Sequence, residues 1–286
     1  MSKLEDRIKK NIRESNLKGR PEFEGYSPFE MELILYNLFG ENSPVQINPL
    51  PEQDYLQIPL FNLIKYLANL IRSEGEVKLT ARGYLPPRVV KELYQQGFIF
   101  ERAIEMGITK LTTENDSLTV QLTRILLEMG GIIKKRNNKL SLTKQGRGML
   151  QKDNHDLFPH LFETACKKFS WAYFDAFDDE YIGQLGFGFS LILLNNYGHE
   201  KRQESFYAEK YFTAFPTFLE HQNSPEMRTS DDHTAFVYSV RTFERFLAYF
   251  NLVSLKNEKV FWGEQQVQTT PLFTKLIKII PPMGPI

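Results

Sequence analysis

The chain has 286 residues, 42% of them hydrophobic and 24% charged, with 35 Lys/Arg against 35 Asp/Glu. That is globular composition and enough length for two domains, and zero net charge excludes a polycation over the whole surface. A single cysteine excludes an intrachain disulfide framework, and the longest apolar run, Phe187 to Leu194, is far short of the ~20 residues of a membrane span.

Charge is unevenly placed. Residues 78–152 hold 14 Lys/Arg and 6 Asp/Glu, a net +8. Residues 1–20 hold 7 and 3, a net +4, whereas residues 21–77 hold 2 and 9, a net −7. Residues 153–286 hold 12 and 17, a net −5. A basic middle therefore lies between acidic flanks. The opening Met1-Ser2-Lys3-Leu4-Glu5-Asp6 lacks the apolar region of a signal peptide. A soluble, cytoplasmic protein is expected, with no membrane partner.

In chain order, residues 1–20 read as a charged tail or loosely held helix. Ser27-Pro28-Phe29-Glu30 carries a capping box with proline in the first turn, so a helix starts there. Met31, Ile34, Leu35 and Leu38 form its apolar stripe, and Gly40 ends it. Pro44, Pro49, Pro51 and Pro59 mark 41–59 as an irregular, extended connection. Leu60 to Arg72 returns to helical spacing, closed by Gly75. Val77 to Thr80 reads as a short strand. Pro86 and Pro87 then open a helix with Val89, Val90 and Leu93 on its buried face.

The stretch Asn115 to Leu150 organises the first half. Leu118, Leu122, Ile125, Leu126 and Met129 fall at helical spacing, and Gly130-Gly131 stops that helix. Ile132-Ile133 starts a strand, Asn137-Asn138 can turn the chain at positive φ, and Leu140 and Leu142 alternate along a return strand. Thr143 can cap the next helix. Helix, hairpin, helix is the core of a winged-helix unit, and the strand near Val77 is placed to close a three-stranded sheet.

In the second half, Leu157, Leu161, Ala165 and Phe169 repeat every four residues, with Cys166 inside the pattern as a buried thiol. Gly183, Gly186 and Gly188 punctuate a turn, 205–220 is rich in Phe and Tyr, and 222–234 reads as a polar loop. Ala235 to Phe250 is a strong helix. Phe246–Val253 then aligns with Leu126–Ile133 at an offset of 120, and Val267–Phe273 aligns with Leu140–Gly146 at an offset of 127. The pattern is an internal repeat with a longer second hairpin. Thr270-Pro271 opens the last helix, and the proline-rich tail after it cannot be helical.

The fold expected is mainly α (α+β), with two winged-helix-like units carrying small β-hairpins and joined by aromatic-rich helices. Its segments are a charged tail or helix at 1–20, an N-terminal helical segment at 21–77 packed on the first unit, a basic first unit at 78–152, an aromatic helical layer at 153–234 and a second winged-helix-like unit at 235–286.

Tyr26-Ser27-Pro28, Leu35-Tyr36, Leu79 to Pro86, Gly131 to Lys134 and Leu142 to Gly146, in that order, resemble bacterial proteins of largely unknown function, some of which carry a C-terminal SEC-C zinc motif. The resemblance covers roughly residues 23–150. One cysteine cannot build the cysteine-rich motif, so no zinc role carries over. Leu126 to Gly146 also looks like the wing region of MarR-type regulators.

No P-loop, nucleophile elbow or dinucleotide loop is present, and Gly183 to Gly188 lacks a strand-then-helix context. His155 and His160 are separated by Pro159, which interrupts a helix between them, and His233 sits in the polar loop with His221 upstream of it. Asp178-Asp179-Glu180 reads as a solvated helix end. No catalytic residue, metal site or cofactor is therefore expected. The basic hairpin Lys134-Lys135-Arg136-Asn137-Asn138-Lys139 is the strongest functional signal, with Gln121 and Arg124, and Thr119 beside them, offered outward by the preceding helix. Lysine also protects exposed hairpin edges from aggregation, and the second hairpin, with Lys256, Glu258, Lys259 and Glu264, is nearly neutral. The expectation is a non-enzymatic binding module acting as a protein-interaction or scaffold domain, with nucleic-acid binding through the basic hairpin as the alternative.

Overall fold

The computed structural model describes residues 3–177, 179–220, 230–257 and 265–284. It is mainly helical, with small antiparallel sheets of two or three strands. The chain forms two compact units. A terminal unit comprises Met1–Asn48, Phe177–Ala248 and Leu252–Ile286, and a central unit comprises Pro49–Ala176 with Tyr249–Asn251.

The chain opens in the terminal unit with α1 (Lys3–Leu17), α2 (Pro28–Tyr36) and β1 (Val45–Ile47). The capping box forms as expected. Ser27 Oγ accepts from the Glu30 N–H, and the Glu30 carboxylate accepts from the Ser27 N–H at 2.8 Å. The helix stops at Tyr36, four residues before Gly40, and Phe39 takes the left-handed backbone region.

The central unit follows with α3 (Glu52–Tyr55), α4 (Pro59–Glu74), β2 (Val77–Lys78), α5 (Pro87–Tyr94), α6 (Arg102–Glu105), α7 (Leu118–Met129), β3 (Ile133–Arg136), β4 (Lys139–Leu142), α8 (Lys144–Met149) and α9 (Asn154–Glu163). Leu63, Ile64, Leu67, Val89, Val90, Leu93, Val120, Leu126, Leu127, Leu140 and Leu142 are all buried in one core. The three strands run antiparallel in the order β2-β4-β3, so the strand at Val77 does close the hairpin sheet. Asn137 and Asn138 turn the hairpin at φ of 51° and 56°, the geometry of a two-residue turn whose twist matches its strands. Thr143 Oγ1 caps α8, accepting from the Gly146 N–H at 2.8 Å. Gly146 is obligatory here, because a Cβ would run into the carbonyl of Ile132.

Helix α9 runs straight through Pro159 instead of being interrupted by it. The proline removes one backbone hydrogen bond, but Leu157, Phe158, Leu161 and Phe162 bury fully on the same helix, and that burial outweighs the loss. Thr164–Lys168 continues as a π-helix holding the buried Cys166, whose thiol is pushed well up by burial.

The chain then returns to the terminal unit with α10 (Phe187–Tyr197), β5 (Arg202–Gln203), α11 (Glu204–Ala214), α12 (Thr217–Glu220), α13 (Ser230–Ser239), β6 (Val253–Asn257), β7 (Gln265–Thr269), α14 (Pro271–Leu276) and β8 (Ile277–Ile279). The polar loop expected at 222–234 gives way to helix at Ser230; residues 221–229 lie outside the described residues. From Val240 to Leu247 the expected α-helix becomes a π-helix. It seats the Arg241 guanidinium in the core, donating to the carbonyl of Asp179 at 2.5 Å, with Phe177 beneath it.

Two departures concern the first 48 residues. They belong to the terminal unit, not to the first hairpin unit. Val45↔Ile279 and Ile47↔Ile277 pair β1 with β8, Tyr26 OH donates to the Ile280 carbonyl at 2.7 Å, and Gly188 lets α10 approach Ile34 of α2 and Leu38 just after it. The segment expected at 21–77 is thus divided between the units at Asn48–Pro49.

Candidate nucleic-acid interface

Strand alternation sorts the first hairpin sheet into two faces. Val77, Ile133, Leu140 and Leu142 point into the core of the central unit and are buried. The register Lys78↔Lys139 and Arg136↔Lys139 sets three cations directly opposite one another across β2, β4 and β3 on the outer face. Lys134, paired with Ser141, adds a fourth on that face. Like charges facing directly across a sheet destabilise it. Glu76 offsets part of this by an ion pair with Lys139.

Lys135 lies on the opposite face and reaches to the Gly83 carbonyl at 3.3 Å. The turn 80–84 is fastened to the hairpin tip. The Leu79 N–H donates to the Asn138 carbonyl at 2.9 Å, and Asn138 Nδ2 donates to the carbonyls of Leu79 and Thr80 at 3.1 and 2.9 Å. That turn carries the exposed Arg82.

Helix α7 is closed. Its N-terminus is occupied by the Glu101 carboxylate, which accepts from the N–H groups of Leu118 and Thr119 at 2.9 and 3.1 Å and from the hydroxyls of Ser117 and Thr119. Thr119, expected outward, is buried. Arg124 does not face solvent either. It donates to the fully buried Glu114 at 2.5 Å and to Glu128 at 2.6 Å. Burial alone would lower its pKa, but these carboxylates hold it above the ordinary value. Glu114 in turn accepts from the Leu85 N–H at 2.6 Å. Gln121 is half-buried.

Of the six residues chosen from sequence, Lys134, Arg136 and Lys139 thus share one face, Lys135 lies on the other, and Arg124 and Gln121 belong to a different element. Lys78 and Arg82 were missed. The alternation Val77-Lys78-Leu79 already placed Lys78 outward, but only the β2–β4 register sets it against Lys139.

The second hairpin sheet repeats the topology in the order β5-β7-β6. Its register Gln203↔Gln266 and Lys256↔Gln266 puts Gln, Gln and Lys where the first has Lys, Lys and Arg. Ser254 and Gln268 complete that face. Glu258, Lys259 and Glu264 lie outside the described residues, as do His221 and Asp178.

His160 Nε2 lies 2.6 Å from the Gly130 carbonyl, and His155 Nδ1 lies 3.3 Å from Tyr55 OH. Among the described residues no group of three His, Cys, Asp or Glu is placed to hold a metal ion. No helix among them is long and apolar enough to cross a membrane. Between α5 and α7 the central unit exposes Phe98, Phe100, Met106 and Ile108. Comparisons with family models, with curated proteins and with solved structures find no match for this chain.

Proposed function

We propose that this chain is a non-enzymatic, cytoplasmic binding protein built on two winged-helix-like units, the first of which engages nucleic acid through its phosphates. The order helix, strand, three α-helices and hairpin with the third strand central, found twice among the described residues, supports the winged-helix reading. The cross-strand row Lys78, Lys139 and Arg136 carries the ligand reading. A row of like charges costs the sheet stability; a polyanion laid on that face converts the repulsion into attraction and releases its own counterions. The same register in the repeat carries one cation, Lys256, beside two glutamines, which indicates that the hairpin architecture does not require three.

A second reading, protein docking, rests on Phe98, Phe100, Met106 and Ile108, which leave apolar surface exposed within eleven residues of chain. Fluorescence anisotropy with a labelled duplex separates the two. The wild type should bind at low ionic strength with a steep salt dependence. Lys134→Ala/Arg136→Ala should bind more weakly, with a log–log salt slope shallower by about one unit per lost phosphate contact. A wild type that leaves the duplex unbound at low salt sinks the nucleic-acid reading and leaves docking in its place.

A further inference from the structure

We infer that the first unit holds duplex nucleic acid by its phosphate backbone alone and discriminates no base sequence. This rests on the nucleic-acid reading above and adds what that site can and cannot recognise.

Base reading in helix-based DNA-binding units requires a helix with free donors and acceptors at its exposed N-terminal part. Helix α7 occupies the position that would supply them, and its groups are spent internally. The first two helical N–H groups and the Ser117 and Thr119 hydroxyls all point at Glu101. A carboxylate there satisfies the positive end of the helix dipole and repels an approaching phosphate. Thr123 donates its hydroxyl to the Thr119 carbonyl at 2.7 Å and is buried.

Arg124 is the helix's only cation. Swinging it toward a base would leave Glu114 charged, fully buried and without its ion-pair partner, a state strongly disfavoured in a folded protein. Among the more accessible positions, Leu118, Gln121, Ile125, Glu128 and Met129 offer one amide, one acid and three apolar groups. A single half-buried amide is too few to read a site. The groups that are free to meet a ligand are the cations Lys78, Lys134 and Arg136 on the outer sheet face. Phosphate contacts of that kind fix position and carry no sequence information.

The experiment is selection of bound duplexes from a randomised pool by the full-length chain, followed by anisotropy on several unrelated duplexes, AT-rich and GC-rich. Expected are an unenriched pool and dissociation constants within about threefold of one another, because even one bidentate base contact separates sequences by about fivefold or more. Lys134→Ala/Arg136→Ala should weaken every duplex by the same factor. An enriched motif bound at least about tenfold more tightly than the starting pool overturns the inference while leaving the nucleic-acid reading standing. No binding to any duplex at low salt overturns both.

Discussion

Arg124 and Asp116 show how far a side chain's role depends on what surrounds it. On a helix drawn from sequence, Arg124 is a surface cation. In the fold it bridges Glu114 and Glu128, and Glu114 also holds the Leu85 N–H. Arg124→Ala should therefore destabilise the protein by about 3 kcal/mol, the scale for stranding a buried partner, measured by chemical denaturation. A change under about 0.5 kcal/mol, typical of surface sites, would return Arg124 to the surface role. Asp116 accepts from the N–H of Thr113 at 2.6 Å, the hydroxyl of Thr112 at 2.7 Å and the N–H of Thr112 at 2.9 Å. The Thr113 N–H is the largest cause holding its carboxyl down to about 2, from an ordinary 3.8. A folded pKa below the unfolded one gives stability that is present above the unfolded value and lost as pH falls through the folded one. The advantage of the wild type over Asp116→Asn in melting temperature should be full above pH 3.8 and should shrink as pH falls toward about 2. An advantage that stays constant over that window would deny the carboxylate this role.

At the scale of the element, the two hairpins are the same device with different surfaces. Both hang from a helix, close with a third strand and lead into a Thr-capped helix, α8 by Thr143 and α14 by Thr270. The first concentrates charge, and Glu76 tempers it through Lys139. Glu76→Gln removes the opposing charge and frees Lys139 for a phosphate. Duplex affinity at low salt should rise several-fold, and the gain should fade as salt increases, since screening weakens exposed charges. Stability should move little, because both partners are solvent-exposed. Unchanged or weaker binding by Glu76→Gln would remove the outer sheet face from the interface.

Over the whole molecule, chain order and spatial grouping diverge. Tyr249–Asn251 comes late in the chain yet belongs to the central unit. The Leu60 N–H donates to the Tyr249 carbonyl at 3.0 Å, and the Phe250 ring sits 4.8 Å from Phe162 and 6.3 Å from Phe158, edge to face. Phe250 thus closes a cluster whose other rings come from residues 55–162. Phe250→Ala should cost about 3–5 kcal/mol, the range for truncating a buried phenylalanine. Hydrogen exchange should then show the loss in α4 and α9. Exchange altered only near the second hairpin would place Phe250 in the terminal unit instead.

Local features were legible in the sequence because their causes are local. The Ser27–Glu30 capping box, the Asn137-Asn138 turn, the helix at Leu118 and the hairpin repeat at offsets of 120 and 127 depend on neighbours a few residues away. The basic hairpin was legible for the same reason. Whether a charged side chain is available or spent is decided at longer range. Arg124 looked free because its buried partner, Glu114, lies outside the helix and beyond its first turn, and Thr119 looked outward because Glu101 comes from an irregular stretch with no periodicity to read. Lys78 could not be placed opposite Lys139 without a register across 61 residues of chain. The pairing of β1 with β8 joins segments more than 220 residues apart through three residues each, too short for any pattern to announce. Composition and spacing determined the helices, the hairpins and the sign of their charge; only the tertiary structure decided which of those charges face solvent, because hydrogen-bonding partners are chosen by distance in space and not along the chain.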